Sequence, residues 1–244
     1  MGKIAPSPHT PENLLVYVIG DIHGRIDLLT RLMKLIKADA AKHSFLKKEL
    51  IFLGDYIDRG VDSRSVIDFL LTCLPKNMKK TFLRGNHDDR LLNFLNGDLD
   101  QARDWLALGG SATLVSYGIN PYRANVIHDL KALHKAMIEK VPAAHRAFLA
   151  ATEIDATRGD YYFVHAGVRP GIPMEKQTSE DRLWIRHDFL GSAHDHGKVV
   201  VHGHSILPEP DQQPNRIGID TGAYATGILT CLALYGSTQR FLST

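Results

Sequence analysis

The segment Leu50–Asp62 constrains this chain more than any other. Leu50, Ile51, Phe52 and Leu53 form an apolar run, followed by Gly54, Asp55, Tyr56, Ile57, Asp58, Arg59 and Gly60. A buried strand that ends in two carboxylates needs a positive partner, because an unpaired charge is expensive to desolvate. Leu14–Ile19 upstream ends in Gly20-Asp21-Ile22-His23-Gly24, and Lys80–Leu83 downstream ends in Arg84-Gly85-Asn86-His87. Three loops of one kind predict one shared site.

The order of elements supports that convergence. Between the strands, Arg25–Lys37 carries Ile26, Leu29, Met33 and Ile36 on one stripe, and Asp62–Leu74 carries Val66, Phe69, Leu70 and Cys73. Both spacings predict helices. Alternating strand and helix predicts a parallel α/β sheet with right-handed crossovers. Sites in such sheets lie outside the carboxyl ends of the strands, where all three loops fall. Residues 89–151 change character, with helical runs at Arg90–Leu95, Gln101–Leu108, Arg123–Lys140 and Pro142–Ala150. They read as a helical insertion packed on the sheet. Strand signals return at Tyr161–Val164, which ends in His165-Ala166-Gly167, and at Lys198–Val201, which ends in His202-Gly203-His204-Ser205. Arg216–Ile219, Gly227–Tyr235 and Thr238–Leu242 read as consecutive antiparallel strands, while Glu175–Asp181 and Pro208–Pro214 read as loops. The expected organisation is a flexible tail over 1–13, broken by prolines, and a single domain over 14–244.

Composition narrows the function classes. With 244 residues, 44% hydrophobic and 23% charged, the chain suits one sizeable globular core. A net charge of +2 gives no reason to expect a nucleic-acid or membrane partner. The N-terminus lacks the apolar core of a signal peptide, and no apolar run reaches spanning length. A cytoplasmic protein is expected, with Cys73 and Cys231 as buried free thiols.

Five predicted strand ends carry Asp21/His23, Asp55/Asp58, Asn86/His87, His165 and His204. Any one such loop is explained by helix capping or turn formation. Five on one sheet edge call for a common cause. Imidazole and carboxylate without cysteine suit two divalent ions, manganese first, with iron or zinc as alternatives. Two ions about 3.5–4 Å apart need a bridging carboxylate. Asp55, at the end of a central strand, is the natural bridge. Asp21 and His23 would complete one ion, and Asn86, His165 and His204 the other. Two divalent ions less two carboxylates leave about two positive charges, a trap for a phosphate dianion.

The same loops resemble the signature motifs of the phosphoprotein phosphatase family of metallophosphoesterases: Gly20-Asp21-Ile22-His23-Gly24, Gly54-Asp55-Tyr56-Ile57-Asp58-Arg59-Gly60, Gly85-Asn86-His87-Asp88, His165-Ala166-Gly167 and Gly203-His204-Ser205. The resemblance implies a four-layer α/β/β/α sandwich. It implies Asp21, His23, Asp55, Asn86, His165 and His204 as metal ligands, His87 as general acid and Asp58 as the carboxylate that orients it. It implies Arg59 as a phosphate ligand and a second arginine, assigned to Arg186 over Arg182 and Arg169. The implied chemistry is direct in-line attack on phosphorus by a water activated between two metals. The resulting expectation is a serine/threonine protein phosphatase acting on a phosphorylated protein or peptide. The alternatives are a diadenosine tetraphosphatase or other phosphoanhydride hydrolase, and a non-catalytic phosphate-binding protein. Two residues depart from the family pattern. Asp88 replaces a glutamate, as in the symmetrical diadenosine tetraphosphatases, a branch that lacks the aspartate found here as Asp58. Ser205 stands where threonine is commoner.

The remaining polar and aromatic residues receive simpler readings. His194 and His196 are assigned to a solvated loop, and His128, His134 and His145 to the surface. Trp105 and Trp184 are assigned to the core. His202 is placed on the same side as His204, Asp220 as a hydrogen-bond partner of a ligand histidine, and Tyr224 near the phosphate pocket.

Overall fold

A computed structural model describes residues 7–121 and 129–244. The strands are β1 (Leu14–Ile19), β2 (Lys47–Phe52), β3 (Lys79–Phe82), β4 (Asp155–Arg158), β5 (Tyr161–Val164), β6 (Val199–His202), β7 (Asp211–Gln213), β8 (Arg216–Gly218), β9 (Thr230–Tyr235) and β10 (Thr238–Ser243). The helices are α1 (Ile26–Ala41), α2 (Ser63–Thr72), α3 (Asn86–Leu95), α4 (Gln101–Trp105), α5 (Ser111–Ser116), α6 (Leu130–Lys140), α7 (Ala143–Ala150), α8 (Ser179–Trp184), α9 (His187–Leu190) and α10 (Ala223–Thr226).

Two mixed five-stranded sheets form the centre, in the orders β10-β9-β1-β2-β3 and β4-β5-β6-β8-β7. In the first, β1, β2 and β3 run parallel, with Val18 opposite Ile51 and Ile51 opposite Thr81. In the second, β5, β6 and β8 run parallel. The parallel core strands put their carboxyl ends, and hence the loops after them, on one edge.

Strand periodicity explains the layers. Val16, Val18, Ile51 and Leu53 point one way and meet Phe163, Val201, Ile217 and Ile219 of the other sheet. Leu15, Tyr17, Ile19, Leu50 and Phe52 point the other way and meet Leu29, Leu32, Met33, Val66 and Ile67 of α1 and α2. Tyr162, Val164 and Val200 pack against Ile185 and Phe189 on the far side of the second sheet. Both faces of the central strands are buried, which is why their sequences are unbroken apolar runs. The arrangement is the α/β/β/α sandwich expected. Each fully buried aliphatic side chain contributes about 1.5–3 kcal/mol, and Phe52→Ala would cost about 3–5 kcal/mol by leaving a cavity.

One charged group lies among the apolar residues between the sheets. Glu49 on β2 accepts hydrogen bonds from Arg158 Nε and Nη2 at 2.7 and 2.6 Å and from Thr81 Oγ1 at 2.8 Å. It ties β2, β3 and β4 together.

Several elements differ from expectation. Arg216–Gly218 does not form a meander with the last two strands; it lies in the second sheet, parallel to β6. The stretch from Ile219 to Leu229, with α10 inside it, carries the chain from one sheet to the other. Strands β4 and β7 and the helices α8 and α9 arise where no apolar period marks them. The described helices between Asn86 and Ala150 belong to the same hydrophobic cluster as α1 and α2, through Leu91, Phe94, Trp105, Leu133, Met137 and Phe148. Cys231 is buried, but Cys73 is exposed at the end of α2. His145 is buried and not a surface residue: its two ring nitrogens lie 2.9 Å from Tyr117 Oη and 2.9 Å from Asp68 Oδ1. Of the tail, His9 N–H donates to Asp160 and Thr10 N–H to the Gly236 carbonyl. The predicted helix over 123–140 is described from Leu130 onward, and residues 1–6 and His128 lie outside the described residues. No described helix is long and apolar enough to cross a membrane.

Candidate metal centre

The five loops meet at one point. Asp21, His23, Asp55, Asn86, His87, His165 and His204 are all buried, each at 5% exposure or less. The backbone reaches this packing through unusual conformations. Among the described residues, six non-glycine residues have positive φ, and five of them are His23, Asp55, Asp58, Arg59 and His204. Two glycines make room. A Cβ on Gly85 would stand 2.0 Å from Asp55 Oδ1, and one on Gly203 would stand 2.1 Å from Asp21 Oδ1. Any larger residue at either position would displace a carboxylate.

Asp55 is the hub. Its Oδ1 accepts the His87 N–H at 3.0 Å. Its Oδ2 lies 3.4 Å from His23 Nε2, 3.5 Å from His165 Nε2 and 4.0 Å from His87 Nε2. Two ligand-grade clusters result, His23-Asp55-His87 and Asp55-His165-His204, and Asp55 belongs to both. Asn86 Oδ1 adds a donor to the second, 2.8 Å from His165 Nε2 and 2.9 Å from His204 Nδ1.

Tautomers test whether cations fit here. His23 Nδ1 faces the Ile57 carbonyl at 2.8 Å, and His165 Nδ1 faces the Leu53 carbonyl at 3.0 Å. A carbonyl only accepts, so each Nδ1 carries the proton and each Nε2 presents a lone pair. Those lone pairs point at Asp55 and Asn86 oxygens, acceptor against acceptor. Burial pushes His23 down to about 3, past the opposing pull of Asp55, and also lowers His165, so neither ring protonates to relieve the conflict. Asp21 Oδ1 and His204 Nε2 are buried without any partner. Burial, and then Asp220 and Asp55, drive the Asp21 carboxyl well up. Burial opposes ionisation of Asp55, but the imidazolium forms that His165, His87, His23 and His204 adopt in acid outweigh it and hold its carboxyl low. Oxygens and bare imidazole nitrogens aimed at one another are what a pair of divalent cations requires.

Asp58 stands behind His87. Its Oδ2 lies 2.8 Å from His87 Nδ1, Trp105 Nε1 donates to both its oxygens at 2.9 and 3.2 Å, and the Thr113 hydroxyl donates to Oδ1 at 2.5 Å. Burial lowers the His87 pKa, but Asp55 and Asp58 together outweigh it and leave the ring raised. Trp105 and Thr113 were not visible as site residues in the sequence, where Trp105 reads as core. Between them a turn of π-helix at Leu106–Gly110, with Gly109 at a φ of 119°, lets Arg59 N–H reach the Gly109 carbonyl at 3.3 Å. Asp88, the residue after His87, accepts the N–H groups of Asp55 at 2.7 Å, Tyr56 at 3.1 Å and Gly85 at 2.9 Å. It stitches two loops together.

The mouth is cationic. Arg59 lies 4.8 Å over the Tyr224 ring, whose edge meets His23 at 5.4 Å. Arg186 is exposed on the segment before α9, close enough for its charge to depress His165 and His204. Arg182 and Arg169 are committed elsewhere: Arg182 to Tyr162, Gln177 and Met174, and Arg169 to Asp181 and Asp188. Asp220 does not bond a histidine; it accepts the Gly222 N–H at 2.9 Å, and burial lifts it to about 6. His202 packs edge-on against Phe189 at 5.1 Å, apart from both clusters. Trp184 is half-buried, its ring 6.2 Å from His204.

The profile of the calcineurin-like phosphoesterase family matches residues 14–227, all five loops included. The chain belongs to the calcineurin-like phosphoesterases. As one of them it is a phosphoester hydrolase that uses divalent metal, and its resemblance to phosphoprotein phosphatases holds at this broader level. Among curated relatives of this phosphoesterase, the asymmetrical bis(5'-nucleosyl)-tetraphosphatase PrpE of Anoxybacillus flavithermus is 28% identical over 233 residues, spanning 88% of both chains. The enzyme of that name from Bacillus mycoides is 27% identical, again over 88% of both chains. Solved structures share the fold. A protein described as a candidate diadenosine tetraphosphatase superposes with TM-score 0.64 at 18% identity over 98% of both chains. A cold-active protein tyrosine phosphatase superposes with TM-score 0.58 at 16% identity over 96% of this chain and 81% of its own.

Proposed function

We propose that this phosphoesterase hydrolyses dinucleoside polyphosphates, cutting a phosphoanhydride to give two unequal nucleotides. The observation that carries the reading is end-to-end similarity, over 88% of each chain, to asymmetrical bis(5'-nucleosyl)-tetraphosphatases. The site agrees with it. Asp21, His23 and Asp55 would hold one divalent ion, and Asp55, Asn86, His165 and His204 the other. When bound, such ions supply Lewis-acid activation of water and neutralise charge at phosphorus. Arg59 and Arg186 grip phosphate oxygens from two sides of the mouth, and an arginine fork suits that task. The Tyr224 ring holds Arg59 in place. Asp55 fixes the backbone of His87, and Asp58 fixes its ring, so that Nε2 faces the cluster and can hand a proton to the departing oxygen.

That His87–Asp58 pair favours a second reading, a phosphomonoesterase acting on a phosphorylated protein or peptide. A serine or threonine alkoxide must be protonated as it leaves, whereas a nucleotide phosphate leaves well without help. One experiment separates the two readings. With added manganese, diadenosine tetraphosphate and a phosphoserine peptide are assayed side by side and the products resolved by chromatography. The proposal expects adenosine mono- and triphosphate in equal amounts, with a kcat/KM well above that for peptide dephosphorylation. Faster release of phosphate from the peptide would overturn it in favour of the second reading.

A further inference from the structure

Next to the metal centre lies a second cavity of about 360 Å³, of the size that holds small ligands. Trp184 is the wall between them. One edge of its ring faces His204 at 6.2 Å, and Arg90 lies against its face, 4.8 Å from the centroid. The floor is closed by groups that satisfy one another: Arg84 pairs with Asp89 at 3.3 Å. Other lining groups are not satisfied. Arg90 Nε and Gln101 Oε1 are buried without a partner, and among the described residues none bonds the carboxylate of Glu180, which also lines the cavity. A buried polar atom left unpaired is costly, and two of them in one cavity point to a ligand that carries both donors and acceptors.

We propose that this cavity binds a purine base of the substrate. A glutamine amide pairs in two places with the N6–N7 edge of adenine, accepting from the exocyclic amine and donating to the ring nitrogen. Gln101 lines the cavity and carries such an amide, whose Oε1 has no protein partner. Trp184 supplies the aromatic surface against which a base stacks. Arg90, held on that ring with its Nε unpaired, adds a cationic donor to the same cavity. A base placed here sits one tryptophan away from the reacting phosphorus, as the nucleoside end of a polyphosphate must. The role in catalysis rests on the dinucleoside reading above; the binding of a base does not.

Two measurements test this. In the first, full-length metal-loaded protein is titrated with adenosine, which carries no phosphate, and tryptophan fluorescence is followed, with Trp184→Phe as the control that separates Trp184 from buried Trp105. Quenching by adenosine is expected, with uridine weaker, and Gln101→Ala or Arg90→Ala should weaken adenosine at least tenfold. Absence of quenching, equal binding of uridine, or unchanged affinity in both variants overturns the site. In the second, the ratio of kcat/KM for diadenosine tetraphosphate to that for 4-nitrophenyl phosphate is compared between wild type and the same variants. A tenfold or greater fall supports a substrate role, and an unchanged ratio overturns it. If the wild type binds adenosine but cleaves no dinucleoside polyphosphate, the base site stands and the proposed function falls.

Discussion

Replacing Asp58 with asparagine removes one charge and one acceptor from the group that orients His87. The buried carboxylate receives His87 Nδ1 at 2.8 Å, Trp105 Nε1 at 2.9 Å and Thr113 Oγ1 at 2.5 Å. An asparagine offers a single acceptor oxygen, so its amide nitrogen must face at least one of those donors. A hydrogen bond to a charged group is worth about 1.5–3 kcal/mol, which converts to a loss of about 10- to 150-fold in rate if it is felt only as the leaving oxygen takes its proton. The assay is kcat across a leaving-group series under saturating metal. An unactivated alkyl phosphate should lose that full factor, 4-nitrophenyl phosphate should change little, and a nucleotide leaving group should fall between. Equal losses on the alkyl and nitrophenyl esters would refute the reasoning, because they would mean that Asp58 maintains the loop and not the proton donor.

Other outcomes follow from the same geometry. Trp105→Phe keeps the ring but removes the indole donor from buried Asp58; urea unfolding should show a loss of about 1.5–3 kcal/mol. Chelation leaves Asp21, Asp55 and Asp220 buried together without a counter-ion, so the melting temperature should fall and recover with manganese, and Asp55→Asn should abolish that recovery. Glu49 is opposed by burial, but Arg158 and Thr81 prevail and hold its carboxyl below the usual range. Its contribution is therefore present above the unfolded value and lost as pH falls through the folded one. The difference in stability between wild type and Glu49→Gln, about 1.5–3 kcal/mol near neutral pH, should shrink steadily in acid. Equal differences at pH 7 and at pH 3 would contradict that assignment.

The loops were legible because each breaks an apolar strand with glycine and a ligand-grade side chain, all within a few residues. Asp55 as the hub followed from its place on a central strand, a parallel α/β sheet followed from the alternation of strand and helix, and the sandwich followed from the resemblance of the loops to a known family. Short polar strands were not legible: Asp155–Arg158 and Asp211–Gln213 sit on sheet edges and bury little, so they leave no period to read. Long-range partners were not legible either. Trp105 and Thr113 reach Asp58 across 47 and 55 residues, and nothing local marks either as different from core. His145 illustrates the same limit, since Tyr117 and Asp68 make its burial tolerable and neither is near it in sequence. The elimination of Arg182 and Arg169 likewise needed their actual partners.

The left-handed backbone at His23, Asp55, Asp58, Arg59 and His204 has an energetic consequence. Each such residue costs on the order of 1–2 kcal/mol relative to an ordinary conformation. Together they hold a sum comparable to the whole net stability of a domain. The sheets and helices must supply that excess, so the centre keeps its shape only because the packing around it holds it. On heating, the loops should relax while both sheets persist, and activity should disappear before helical and strand signals do. Metal and substrate then act as clamps on a spring already wound, which ties the lifetime of the folded site to its occupancy.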